Sequence, residues 1–205
     1  MYDVAPLFTR SDGEYAFARW GRPIVPVVFG VDDATLAVFK GAIEAVVTLA
    51  GHKMDEADME LGANLMFFFC QDWAELLDVP NLDKMLPELD GLVTRLQAAK
   101  ANQYRLFRFD SEGAIQAAFV FIRMDDQMAQ APADTLALSQ AVQVILLWSD
   151  TAFSDAPALA MVDGKVALRP EIGDVIRAAY DRVMPVAAQD ASHALRIAAR
   201  VSRAI

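Results

Sequence analysis

Apolar residues fall in short runs separated by polar, Gly- and Pro-containing breaks, and the spacing inside each run predicts its element. Residues 15–20 read as a short strand or extended lead-in, and 24–30 as a strand after the Arg22-Pro23 break. Pro26 removes one ladder donor, which predicts an edge position or a bulge. Asp32 and Asp33 supply an N-cap for a helix over about 34–50, with Leu36, Phe39, Ile43, Val46, Val47 and Ala50 on one face and Gly51 as its stop. A polar connection over 52–62 leads to a strand over 64–70, where consecutive Phe67, Phe68 and Phe69 predict burial on both faces. One short and one longer helix are expected between 72 and 100, broken near Val79-Pro80 and at Pro87. Runs over 103–109 and 114–123 flank Asp110-Ser111-Glu112-Gly113, the clearest hairpin signal in the chain.

The C-terminal half reads as helical. One buried helix is expected over 132–148, another from Pro170 at its first position to about residue 182, and a last one over roughly 188–203. Around Asp163-Gly164, residues 161–162 and 166–168 fit either a tiny hairpin or an irregular loop. No repeat or low-complexity linker divides the sequence. The expectation is a single α+β domain over 1–205, with a mixed or antiparallel sheet of about four to five strands packed against helices. Residues 1–14 read as an extended N-terminal segment.

Composition narrows the function classes. Hydrophobic residues are 55% and charged residues 22% of the chain, which excludes disorder as the main state. None of the apolar runs approaches the roughly 18 to 20 residues a membrane span needs. The start of the chain lacks the pattern of a secretory leader, so a cytoplasmic location is expected, or an exported one if a leader precedes this sequence. With 18 Lys and Arg against 28 Asp and Glu, the formal charge of -10 argues against nucleic acid as a partner. That charge is uneven: 54–90 carries almost only acids, while 191–205 is purely basic. The single Cys70 rules out an intrachain disulfide and Cys-rich zinc sites.

Candidate sites each have a plainer structural reading. Asp55, Glu56, Asp58 and Glu60 offer oxygen ligands but lack the spacing and glycine of a calcium loop, so a solvated acidic loop is preferred, as for Asp125-Asp126. His52 follows the helix stop at Gly51, where a cation favours the C-terminal dipole. His193, Arg196, Arg200 and Arg203 share one face of the final helix, either as a basic stripe for an acidic partner or a second copy, or as a solvated face. Cys70 reads as a buried small hydrophobe, the serines lack a Gly-x-Ser-x-Gly elbow, and no Gly-rich phosphate loop occurs.

Two segments carry a family likeness. Arg19-Trp20-Gly21-Arg22-Pro23-Ile24-Val25 leads into Val27-Val28-Phe29-Gly30 and a helix. Much later, Leu138-Ser139-Gln140-Ala141-Val142-Gln143-Val144-Ile145-Leu146-Leu147 leads into Ser149-Asp150 and Phe153-Ser154-Asp155. This arrangement, from about Arg19 to Arg200, resembles a bacterial family of unknown function, often exported, whose fold is related to the zincin metallopeptidases. Zincins place His-Glu-x-x-His on a helix, with two zinc-binding imidazoles and a carboxylate that polarises water. The resemblance puts that register at Ser139, Gln140 and Gln143, with a third ligand position at Ser149, so every metal ligand and the general base are replaced. Gln140 and Gln143 then read as hydrogen-bonded core amides, or as a polar remnant of the old cleft.

These observations point to a catalytically silent binding or assembly protein without a cofactor, whose partner is an unknown protein or small ligand. Arg19, Trp20 and Arg22 are binding-anchor types, or else cover a sheet edge and pair with surplus acids. Two alternatives stand beside it. One is a hydrolase using carboxylates that only the fold brings together, with Glu171, Asp150 and Asp155 as candidates. The other is a homo-oligomeric structural subunit.

Overall fold

In the computed structural model, which describes residues 2–55 and 62–201, two hydrophobic layers form on opposite faces of one mixed sheet. In chain order the elements are β1 (Phe17–Ala18), β2 (Pro26–Phe29), α1 (Asp33–Leu49), β3 (Leu65–Cys70), α2 (Leu82–Met85), α3 (Leu89–Ala98), β4 (Gln103–Phe109) and β5 (Ile115–Arg123). They continue with α4 (Ala133–Ile145), β6 (Leu159–Val162), β7 (Lys165–Leu168), α5 (Pro170–Ala179), β8 (Ala187–Ala188) and α6 (Ser192–Val201). The main sheet has the order β2-β3-β5-β4, with β2, β3 and β5 parallel and β4 antiparallel at one edge. It is an α+β fold in which a mixed sheet packs against helices.

The Phe-rich strand explains the two layers. Phe67 pairs with Val120 and, with Leu65, Ala118 and Ile122, faces the layer that contains α1 and α4. Phe68 pairs with Phe121 and faces the opposite layer, where Trp73, Leu76, Leu82, Leu92 and Leu96 cover the sheet. Successive strand residues point to opposite faces, so a strand buried on both sides has to be apolar throughout. Pro26 lies on β2, the other edge of the sheet, where its missing N–H costs no ladder bond to a neighbour on the open side.

Helix ends follow local chemistry. Asp32 accepts from the Thr35 N–H at 2.7 Å to cap α1. At the other end Gly51 sits at φ +66°, and the N–H groups of Gly51 and His52 return to the carbonyls of Thr48 and Val47, a Schellman stop. The Asp110 carboxylate closes the β4–β5 turn by accepting from the N–H groups of Glu112 and Ala114, each at 2.9 Å. At 159–168 the chain forms a true hairpin, with Asp163 and Gly164 both in the left-handed region.

Three expectations are corrected by tertiary contacts. The helix expected over 132–148 stops at Ile145, because Leu146 bridges to Arg19 and the Leu147 N–H donates to Ala18 O at 2.9 Å. The helix expected from residue 188 starts at Ser192, because Ala187–Ala188 pairs with Phe17–Ala18 and Asp190 caps the next turn through the Ser192 N–H at 2.7 Å. The first residues fold in rather than extend: Val4, Leu7 and Phe8 are buried in the core, and Thr9 bridges to Tyr15. Among the described residues no helix is long and apolar enough to cross a membrane.

Candidate functional site

Alternation along β4 places Gln103, Arg105 and Phe107 on one face of the strand, and Gln103 and Arg105 there meet Gln140 of α4. The Gln140 amide is buried and donates to Gln103 Oε1 at 2.8 Å. One nitrogen of Arg105, Nη2, donates to Gln103 Oε1 at 2.9 Å and to Gln140 Oε1 at 3.3 Å. Gln103 Nε2 turns to the Met128 sulfur at 3.6 Å. Gln140 therefore belongs to a closed side-chain network, whereas Gln143, one turn on, borders an open cleft and holds Ser139 Oγ at 3.2 Å.

The electrostatics of Arg105 are unusual. Burial lowers its pKa to about 10, so the guanidinium stays charged at neutral pH, yet its Nε is buried with no partner. Both acceptors it has are neutral amide oxygens, and among the described residues no carboxylate lies within ion-pair distance of it. Arg105 is half-buried, and a partly desolvated cation without a counter-charge carries a cost that amide dipoles offset only in part.

Arg105 faces a cleft of about 580 Å³. Its apolar wall is built by Phe107, Leu147, Trp148 and Phe153, and its polar rim by Arg10, Gln103, Gln143 and Asp150. Trp148 is held on three sides: its ring stacks on Phe8 at 5.4 Å, Phe153 meets it edge-on at 5.2 Å, and its indole N–H donates to Val142 O at 2.7 Å. Asp150 accepts from both the Ser11 N–H and the Ser11 hydroxyl, which holds its carboxyl below the usual range. Ser149, where the family resemblance puts a third ligand position, is buried and donates to Pro6 O at 3.1 Å.

The remaining sequence candidates sit elsewhere. Trp20 is fully buried and donates its indole N–H to Val144 O at 2.8 Å, so it is a core residue rather than a surface anchor. Arg19 lies over the Tyr180 ring at 5.3 Å and donates to Met184 O, and no ion pair to surplus acids forms at Arg19 or Arg22 among the described residues. His193 is not part of a surface stripe: it is buried against Phe17 and hydrogen-bonded to the Tyr15 hydroxyl at 2.8 Å. On the same helix Arg196 donates to Val183 O at 3.0 Å and Arg200 pairs with Asp181 at 3.2 Å, while Arg203 lies outside the described residues. At the end of α1, burial lowers the pKa of His52, which disfavours the cation expected there, and its ring Nε2 bonds Arg22 O at 2.8 Å.

The carboxylate candidates do not converge with Asp150 on its cleft. Glu171 is tied to Arg169 at 2.7 Å and borders, with Asp155, a separate hollow of about 200 Å³. Asp125 caps the turn before α4 by accepting from the Met128 N–H at 2.9 Å. Of the acidic connection, Asp55 is exposed, and Glu56, Asp58 and Glu60 lie outside the described residues. Cys70 is buried, and burial with the nearby Glu75 and Asp72 charges pushes its thiol up to about 12. Among the described residues no three His, Cys, Asp or Glu side chains come together as a metal site.

Sequence reasoning missed Arg105, Gln103, Phe107 and Trp148. The first three lie in the two-residue alternation of 103–107, which puts Gln103, Arg105 and Phe107 on one face of the expected hairpin strand. Trp148 carried no such signal, because it was placed inside a helix. No protein-family model, no curated protein and no solved structure matches the chain.

Proposed function

We propose that the protein is a non-catalytic binding protein built on a degenerate zincin-like scaffold, and that its ligand site is the cleft between β4 and the end of α4. The observation that carries this reading is the state of Gln140. Its amide is locked between Gln103 and Arg105, where it presents neither a metal ligand nor a proton acceptor to the adjoining 580 Å³ space. A preformed concave site with an aromatic wall and a few fixed polar groups suits ligand binding without chemistry. The hydrolase alternative has less support, since Asp150 is held in its charged form by Ser11 while a general acid needs the reverse shift.

The test is metal analysis of protein purified without an affinity tag, combined with a peptidase assay. The expected result is no stoichiometric zinc, and no hydrolysis that depends on residue 140. Stoichiometric zinc together with hydrolysis that disappears in Gln140→Ala would overturn the proposal.

A further inference from the structure

Resting on that reading of the cleft, we infer that its ligand is a small monoanionic carboxylic acid with an aromatic or branched apolar body, its carboxylate meeting Arg105 and its body lying against Trp148, Phe107 and Phe153. The charge arithmetic of the cleft selects this class. Arg105 and Arg10 are its two cations, and Asp150 is the one carboxylate among its lining residues. The Asp150 oxygens are occupied by Ser11, so the side chain stays charged and leaves the cleft with a surplus of one positive charge. A monoanion balances that surplus. A phosphate dianion overshoots it beside Asp150, within a chain whose formal charge is already -10.

The hydrogen-bond inventory agrees with the charge. Arg105 spends only Nη2 within the protein, on two amide oxygens, and Nη1 makes no bond among the described residues. A planar guanidinium with free donors favours a planar carboxylate, because charge-assisted bonds to it are shorter and stronger than bonds to a neutral amide. The unliganded protein thus keeps a half-buried, partly desolvated cation that a bound carboxylate neutralises, which gives a neutral analogue no comparable gain. Around it, the Trp148 ring is immobilised by Phe8, Phe153 and the Val142 carbonyl, so an apolar body docks on a surface that is already ordered.

The experiment titrates the full chain with 3-phenylpropionate and with its neutral isostere 3-phenylpropionamide, following Trp148 fluorescence with Trp148→Phe as the blank. The acid is expected to bind at least roughly tenfold more tightly than the amide, as one charge-assisted contact implies. Its affinity should fall as salt rises while that of the amide stays level. Arg105→Gln should abolish the preference. Arg10→Gln, an exposed substitution that leaves the core untouched, should reduce it even if Arg105→Gln fails to fold. Equal binding of acid and amide overturns the carboxylate assignment and leaves the cleft as a binding site. Binding of neither overturns the assignment too, and the non-catalytic reading then stands or falls on its own metal and hydrolysis test.

Discussion

Acidification should destabilise this protein through its histidines, His193 above all, before its carboxylates are protonated. His193 is buried at 3% exposure, its Nδ1 bonded to Tyr15 and its Nε2 buried without a partner. Burial, with Arg196 and Arg200 nearby, lowers its pKa from 6.5 to about 4. In the unfolded chain the same ring takes up a proton near its ordinary value. Between pH 6.5 and about 4 the unfolded state therefore binds the extra proton, and stability falls as the pH drops through that window. At ~1.4 kcal/mol per pH unit the loss reaches about 3 kcal/mol by pH 4 and grows no further below it. Urea denaturation of wild type and His193→Gln at half-unit steps from pH 8 to pH 4 reads it out. The glutamine can still bond Tyr15 but cannot be protonated, and the other titrating groups are common to both proteins and cancel in the difference. The wild type should lose about 3 kcal/mol relative to the variant across the window. A difference that does not change with pH would show that His193 resists protonation no more in the folded protein than in the unfolded chain.

Three further outcomes follow from the packing. Gly30→Ala should cost about 1–3 kcal/mol in strain, read as a fall in Tm, because residue 30 sits at φ +81° and an added Cβ would run into the Phe69 carbonyl oxygen; an unchanged Tm contradicts this. Gln140→Leu should destabilise by about 1–3 kcal/mol by stripping an acceptor from Arg105, and adding Arg105→Met should recover a substantial part, since both polar partners then leave together. Simple additivity in that double-mutant cycle would mean the network is not coupled. Cys70 should resist an aromatic disulfide reagent in the native protein and react promptly in denaturant, its thiol holding about a thousandfold less thiolate than an ordinary one; rapid native reaction would show that the strand end is open.

The individual strands of the main sheet were readable because their signals are local and redundant, whereas their order and the parallel pairing of β2, β3 and β5 are set by long-range contacts. Three consecutive phenylalanines admit little besides a doubly buried strand, Pro26 admits an edge, and Asp110 to Gly113 admits a turn. The errors lie where long-range contacts override local preference. Residues 146–148 are apolar enough to continue α4, but Ala18 and Arg19 capture their backbone in a short bridge. Residues 188–191 would suit a helix, but a two-residue ribbon with β1 takes Ala188 and Asp190 then caps the turn. His193 shows the same limit for sites. Spacing put it on a face with three arginines, and only the fold shows that this edge of the helix turns inward onto Tyr15 and Phe17. Arg105 is the converse case: an ordinary strand arginine in sequence becomes a partly desolvated cation once α4 packs over β4.

The space beside Gln143 and Trp148 is where this protein should meet its ligand. The direct measurement is a fragment screen of mixed charge and shape, read as ¹⁵N shift changes at the Trp148 indole and the Gln143 and Gln103 side-chain amides. Hits should converge on those three signals, with the Trp20 and Trp73 indoles unmoved because both are buried in the core. Hits that cluster elsewhere, or a cleft that no fragment enters, would contradict that placement of the ligand.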